Sequence, residues 1–371
     1  MGFDSTSCNS NLPIADFICS YLDRPGIRIH RNMSSDGEKT NLVIFAGPDG
    51  VEGRDGLVLS GHMDVVPANE PEWTSDPFVL TRHDDTYVGR GACDMKGFLA
   101  LALNTVARLR LTDLTAPLVL VLTYDEELGT RGAEHLVKTW NEAPALPRQA
   151  IIGEPTELRV VRMHKGHLQS RIRVLGESAH SGYPHLGRNA IEPVGQLICD
   201  LKRLREQLQT ERPPNSEHFP EVPFVTLNVA QVTGGSAVNI VPDQCVVKFD
   251  VRLLPGTDRD GIVGRVEQVV ADSLAGTRHE FVLGAEAPPL LLPETAPIYR
   301  ALCTEVAQAE SLSVSYATDA GWLQSLGLDC AVFGPGSIAA AHKPNESIPI
   351  GHLEQAEQIL QRIAYQFCMM H

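Results

Sequence analysis

The chain has 371 residues, of which 43% are hydrophobic and 21% are charged, and its formal net charge is -15. This length suffices for a large hydrophobic core and favours two domains over one. The negative charge argues against binding to nucleic acid or to an anionic membrane, and the longest apolar runs are too short to span a bilayer.

Strands and helices alternate in the first part of the chain. The patterns predict these elements there: a helix over 11–23, strands over 26–30, 40–46 and 57–61, a hairpin over 78–88, helices over 97–111 and 130–141, and strands over 117–123 and 149–153. The segment 117–123 is apolar on both faces, which is typical of a central strand in a sheet covered on both sides. We therefore expect an open α/β sheet, whose functional groups lie at the carboxyl ends of its strands.

The pattern changes at about Lys165. The elements predicted next are a strand over 166–175, a helix over 189–207, strands over 222–233 and 244–254, a helix over 258–275 with Asp258 as its N-cap, and a strand over 278–283. The order β-α-β-β-α-β is typical of a ferredoxin-like unit.

Strand–helix alternation then resumes up to a closing helix over 352–367. The predicted elements there are helices over 295–309 and 319–326 and strands over 312–316 and 329–333. We therefore predict an α/β fold class: an α/β/α domain with a central mixed sheet, formed by residues 1–163 and 284–371, and an inserted ferredoxin-like α+β domain at 164–283.

Acidic and imidazole side chains follow several of the predicted strands. They are His62, Asp94, Glu127, Glu154 and His342. Taken singly, each has an ordinary explanation, such as a loop histidine, a helix N-cap, a solvated loop or a turn acid. Five at successive strand ends favour a metal site, and three carboxylates with two imidazoles suit two ions about 3.5–4 Å apart. Asp64 stands where it can bind the other ring nitrogen of His62.

Six segments resemble one known family, in the same order and over nearly the whole chain. They are SGHMDVVP, GRGACDMKG, TYDEELG, IIGEPT, MHKG and GPGS…AHKPNE. The family is that of the dinuclear-zinc amidohydrolases and metallopeptidases, and the segments GEPT, HKG and AHKPNE are most similar to its acetylornithine deacetylase branch. The resemblance implies a catalytic domain with an inserted lid and dimerisation domain.

The resemblance also implies roles for the residues at the matching positions. Asp94 would bridge two divalent metal ions, zinc or possibly cobalt. His62 and Glu154 would complete one ion, and Glu127 and His342 the other. Glu126 would be the general base and Asp64 would orient His62.

The inserted domain carries three further residues at matching positions. By the resemblance, His180 donates to the oxyanion in the active site of a partner subunit, which implies a homodimer formed through this domain. Asn239 would contact the substrate, and Arg252 would bind its carboxylate. Their ordinary explanations are a loop-stabilising histidine, an Asx-turn and a surface ion pair, and the pattern alone favours these.

The activity implied by the resemblance is hydrolysis of an N-acyl amino acid, with N2-acetyl-L-ornithine as the first substrate and arginine biosynthesis as the setting. The alternatives are acetylcitrulline, succinyl-diaminopimelate, another N-acyl amino acid or a dipeptide. A non-catalytic metal-binding scaffold is the alternative of another class, but Glu126 and the five ligand positions are all present. Asp319 stands where the branch usually carries Glu.

The cellular setting follows from cysteine use and from the first residues. Eight cysteines lie far apart without a Cys-x-x-Cys pair, which indicates free thiols in a reducing compartment. Residues 1–25 show no signal peptide, so we expect a cytoplasmic protein. The family's chains carry one or two more helical turns before FDSTSCNSN, a difference that we expect to affect stability more than the site.

Overall fold

The computed structural model describes residues 1–48, 54–140 and 145–369. The chain forms two compact units. The first comprises Met1–Met163, Leu290–Ser313 and Thr318–His371, and the second comprises His164–Pro289 and Val314–Ala317. The second unit extends beyond residue 283, the predicted end of the insertion, because that residue lies inside a strand whose alternation is interrupted by a register shift between Leu283 and Glu286.

The α-helices of the described residues are α1 (Leu12–Tyr21), α2 (Lys96–Arg108), α3 (Arg131–Thr139), α4 (Ile191–Thr210), α5 (Arg259–Ser273), α6 (Pro297–Glu305), α7 (Ala320–Gln324) and α8 (Ile350–Cys368). Each overlaps a predicted helix; residue 141, the predicted end of α3, lies outside the described residues. Asp258 caps α5 as predicted, since its carboxylate accepts the N–H of Gly261 at 3.1 Å.

The β-strands of the described residues are β1 (Ile27–Met33), β2 (Thr40–Ala46), β3 (Leu57–His62), β4 (Thr81–His83), β5 (Thr86–Val88), β6 (Leu118–Thr123), β7 (Gln149–Ile152), β8 (Val161–His164), β9 (Gly166–Leu175), β10 (Ala179–His180), β11 (Thr226–Gly234), β12 (Ile240–Val241), β13 (Gln244–Leu253), β14 (His279–Ala287), β15 (Leu290–Leu291), β16 (Leu312–Val314), β17 (Asp329–Val332) and β18 (Ser347–Pro349).

The first unit is built on a mixed sheet in the order β1–β2–β6–β3–β7–β17–β8–β15. Its centre is parallel, because β3 pairs in parallel with β6 and β7, and β7 pairs in parallel with β17. Leu118, Leu120 and Leu122 of β6 join the same core as α2 and α8, while Val119 and Val121 on the other face are equally buried. The prediction of a central strand covered on both faces is therefore confirmed.

The second unit has its longer elements in the order β9–α4–β11–β13–α5–β14, and its four-stranded antiparallel sheet runs β11–β13–β9–β14. Leu168, Ile172 and Val174 of β9 are buried, whereas Gln169 and Arg171 between them are exposed. This alternation leaves one sheet face for the apolar sides of α4 and α5. The predicted ferredoxin-like α+β insertion in an α/β chain is confirmed.

A search of the described helices for a bilayer-spanning segment, one both long and apolar enough, finds none.

Candidate metal centre

The candidate ligands of the first unit follow the parallel strands of its sheet. His62 is the last residue of β3, and Glu127 comes four residues after β6. Glu154 comes two residues after β7, and His342 lies in the loop that follows β17. Because parallel strands present their carboxyl ends at one edge, this topology brings residues that are far apart in sequence to one place.

Asp94 lies at the centre of the arrangement, two residues before the first residue of α2. Its two carboxylate oxygens contact two histidines: Oδ1 is 3.0 Å from Nε2 of His62, and Oδ2 is 3.3 Å from Nε2 of His342. Nε2 of His342 is also 3.0 Å from the carboxylate of Glu127. Two sets of three donors result, His62–Asp94–Glu154 and Asp94–Glu127–His342, and within each set the donor atoms lie within 4.8 Å of one another.

The two sets fit a pair of divalent cations. All their donors are nitrogen or oxygen, and Asp94 belongs to both sets, as a bridging carboxylate must. Glu126 and Asp319 add two more carboxylates, so five acids face two imidazoles. None of the ion pairs between described residues joins a lysine or arginine to any of the five. A buried negative cluster of this kind requires positive charge to offset its desolvation.

The acidity of these groups reflects their crowding. Burial, followed by the negative charge of Asp94, raises the pKa of Glu154 well above its usual range. Burial and Glu154 do the same to the pKa of Glu126. The hydrogen bonds to Asp94 and Glu127 raise the pKa of His342 to about 10. Shifts of this size are typical of functional sites.

Asp64 supports the site through its backbone carbonyl and through its carboxylate. Nδ1 of His62 lies 2.9 Å from the backbone carbonyl oxygen of Asp64, whereas the nearest carboxylate oxygen of Asp64 is 3.6 Å away. The carboxylate instead accepts the backbone N–H groups of Glu126 and Glu127 at 3.1 and 3.3 Å and the hydroxyl of Ser7 at 2.7 Å. Asp64 therefore fixes the turn that carries Glu126 and Glu127 as well as the ring of His62.

Asp319, which the resemblance places near the substrate pocket, is a buried member of the cluster. One of its carboxylate oxygens accepts the hydroxyl of Thr123 at 2.5 Å, and the other has no hydrogen-bond partner among the described residues. Burial raises the pKa of Asp319 to about 6. The departure from the family's Glu singled out this position, but only the fold places it under the carboxyl end of β6.

Two of the three predicted residues of the second unit are exposed, as His342 of the first unit is. His180 and Asn239 are exposed, and Nδ1 of His180 accepts the N–H of Gly182 at 2.9 Å. Asn239 contributes its backbone carbonyl to Ser181. Arg252 is half-buried, and its Nε donates to Asp250 at 2.8 Å.

A family model described as "Peptidase family M20/M25/M40" matches residues 58–366, a span that contains all ten predicted site residues. The chain belongs to this family. Its fold and its metal-binding cluster together make this M20/M25/M40 family member a metal-dependent hydrolase.

Similar proteins include named enzymes and solved structures. The chain is 36% identical over 373 residues to an acetylornithine deacetylase of Pectobacterium carotovorum, covering 98% of this chain and 93% of the relative. It is 35% identical over 363 residues to the acetylornithine deacetylase of Salmonella heidelberg, covering 97% and 92%. Among solved structures, an M20 family metallo-carboxypeptidase from Sulfolobus solfataricus superposes with a TM-score of 0.76 at 18% identity, covering 98% of this chain and 97% of that one. A dinuclear metal-binding M20 peptidase from Bacillus subtilis gives 0.64 at 17%, covering 97% and 94%.

Proposed function

We propose that the protein hydrolyses the amide bond of N2-acetyl-L-ornithine to L-ornithine and acetate, and so serves arginine biosynthesis. The observation that carries this proposal is the 36% identity to an acetylornithine deacetylase over 98% of the chain. The net charge of -15 is compatible with a substrate that carries a cationic δ-amine.

His62, Asp94 and Glu154 would hold one metal ion, and Asp94, Glu127 and His342 the other. Zinc fits this set of oxygen and nitrogen donors best, with cobalt as the alternative. When bound, a pair of such ions would polarise the amide carbonyl and lower the pKa of a bound water molecule to about 7.

Glu126 is proposed as the general base because of its position. It follows β6 beside Glu127 but belongs to neither set of ligands, and Asp64 holds its backbone N–H. Its carboxylate is thus left to accept a proton from water and to deliver it to the leaving amine.

The three residues of the second unit are proposed to serve the substrate. His180 would donate to the oxyanion in the partner subunit of a homodimer formed through this unit. Arg252, whose Nε donates to Asp250, would bind the α-carboxylate through its guanidinium, and Asn239 would add an amide contact.

The test is a substrate panel assayed by kcat/KM with N2-acetyl-L-ornithine, acetylcitrulline, succinyl-diaminopimelate and a dipeptide. We expect acetate release from acetylornithine to be the fastest reaction, to stop after chelation and to return with zinc or cobalt. A preference for another panel member would replace the substrate but keep the chemistry. Undiminished hydrolysis by the metal-free protein would overturn both.

Arg252→Ala tests the carboxylate contact in the same assay. Loss of a charged hydrogen bond of about 1.5–3 kcal/mol should raise KM by roughly 10- to 100-fold. Arg171→Ala, on the neighbouring strand β9 and exposed, is the matched control. An unchanged KM in Arg252→Ala would remove Arg252 from the substrate site.

A further inference from the structure

Glu346 is a buried carboxylate that belongs to neither set of metal ligands. Its exposure is 1%, and both of its oxygens are fully used. Oε2 accepts Nη1 of Arg90 at 2.9 Å and the N–H of Gly91 at 3.1 Å. Oε1 accepts the N–H of Cys93 at 2.8 Å and that of Asp94 at 2.9 Å. A single side chain thus organises the backbone of the turn that ends in Asp94.

Arg90 connects this turn to the loop of His342. It is fully buried, and Nη1 donates both to Glu346 and to the carbonyl of Lys343 at 3.2 Å. Nη2 donates to the carbonyl of Pro67 at 3.0 Å and to Glu70 at 3.2 Å. The same nitrogen of Arg90 therefore binds both Glu346 and Lys343, the residue next to His342.

The loop of His342 needs such support. His342 and Asn345 have φ angles of 58° and 57°, in the left-handed region that non-glycine residues rarely adopt. A backbone of this kind persists when surrounding contacts hold it, and it is common at functional sites. Asn345 is held separately, by Thr74 and the carbonyl of Glu72.

We propose that Glu346 is a positioning residue that fixes the backbone of Asp94 against the loop of His342 and thereby sets the distance between the two metal sites. The inference rests on the metal ligands of the proposed function, and not on its substrate. Because Asp94 belongs to both sets of ligands, loss of its support should weaken both binding steps.

The test is metal binding by Glu346→Gln, measured calorimetrically with Zn²⁺ added to the metal-free full chain, without substrate. The glutamine side chain has the shape of the glutamate side chain. Its NH₂ group, however, would face two N–H donors that donate to a carboxylate oxygen in the wild type. We expect both binding steps to weaken by about 10- to 100-fold, as for other partners that orient metal ligands. The Co²⁺ protein should also show a changed visible absorption spectrum.

Two controls separate positioning from general stability. Arg90→Gln breaks the same buried ion pair but leaves the three N–H bonds of Glu346, so it should weaken zinc less than Glu346→Gln does. Glu70→Gln changes the other acid that contacts Arg90 and should leave both affinities unchanged. Unaltered zinc affinities in a folded but less stable Glu346→Gln would overturn the proposal, as would equal losses in Glu346→Gln and Arg90→Gln.

If Glu346→Gln does not fold, Glu346→Asp tests the same proposal. It retains the charge opposite Arg90 but is one methylene shorter, so it cannot reach all four donors. Weaker zinc binding supports the proposal and wild-type binding overturns it. Wild-type protein that binds fewer than two ions would instead contradict the metal assignment of the proposed function.

Discussion

The predicted functional residues of the two units differ in how they are held. In the first unit, His62 and Asp94 are 1% and 5% exposed and His342 is exposed, but neighbouring side chains fix the turns that carry all three ligands. In the second unit, His180 and Asn239 are exposed and Arg252 is half-buried. Buried carboxylates are costly unless positive charge offsets them, whereas exposed polar side chains cost little.

The functional residues of the two units therefore meet different requirements. The metal ligands of the first unit must hold a geometry before any substrate arrives, so their substitution should change metal binding and stability as well as rate. The exposed residues of the second unit should affect rate alone. The five predictions below test that separation, from the largest expected effect to the smallest.

Glu126→Gln should have the largest effect on rate. Loss of a general base costs about 10²- to 10⁴-fold, so kcat should fall by that factor. The metal-free protein should not become less stable, because the change removes one charge from a crowded buried cluster. Glu134→Gln, a half-buried acid paired with Lys138 on α3, is the control for loss of a carboxylate. Wild-type kcat in Glu126→Gln would exclude Glu126 as the base.

His180→Ala should lower kcat by about 10²- to 10³-fold, as expected for loss of an oxyanion donor, with an unchanged melting temperature because His180 is exposed. His185→Ala, also exposed and nearby in sequence, is the control. A large loss of stability in His180→Ala would contradict the separation of rate from stability in this unit.

Mixing His180→Ala with Glu126→Gln subunits decides whether His180 acts across a dimer. If it does, each mixed dimer contains one site with an intact Glu126 and an intact partner His180. Random reassociation should then restore about one quarter of wild-type activity. If His180 acts within its own chain, both sites of a mixed dimer stay defective and no activity returns.

Residue patterns predict the elements whose local sequence pattern matches their place in the fold. β9 has the predicted bounds because its alternation is uninterrupted. The metal ligands that follow predicted strands lie together because parallel strands present their carboxyl ends at one edge of the sheet. The pattern does not reveal β8, β15 or β18, which are two to four residues long and depend on their partners. Short strands of this kind carry too few residues to show a period.

The contacts that support the site are not predictable from local patterns either, because they join residues far apart in the sequence. Asp64 is predicted to bind the other ring nitrogen of His62, and that nitrogen lies 2.9 Å from the backbone carbonyl oxygen of Asp64 and 3.6 Å from its carboxylate. The pattern does not reveal that the carboxylate also binds the turn of Glu126, 62 residues away, and Ser7, 57 residues away. Glu346 lies inside a motif that sequence analysis singled out, yet its four donors become visible only when the turn at 90–94 is folded against it.

Removal of metal should destabilise the first unit. A ligand at 100 times its dissociation constant stabilises the folded state by about 2.7 kcal/mol, and chelation should remove that contribution. The three tryptophans, Trp73, Trp140 and Trp322, all lie in the first unit, so their fluorescence reports its unfolding. We expect the fluorescence transition to shift on chelation in the wild type, and to shift less in Asp94→Asn. Equal transitions with and without chelator would contradict a metal centre in this unit.

Acid should destabilise the second unit through its buried histidines. Burial, and then the charge of Arg252, lowers the pKa of His167 to about 4, and burial lowers that of His164 to about 4. Nε2 of His167 is buried without a hydrogen-bond partner among the described residues. In the unfolded chain both rings have pKa values near 6.5, so above that pH they are neutral in both states and stability is unaffected.

Between pH 6.5 and 4 these two histidines bind protons in the unfolded chain but not in the folded chain, so the free energy of unfolding falls as pH falls. At pH 5 each histidine should cost about 1–2 kcal/mol. His167→Gln should remove about half of this loss in denaturant unfolding followed by circular dichroism, whereas the exposed His185→Gln should retain it. If His167→Gln and the wild type lose stability equally between pH 7 and 5, His167 is protonated in the folded state. The second unit would then hold a buried imidazolium, and its contrast with the charge-dense cluster of the first unit would disappear.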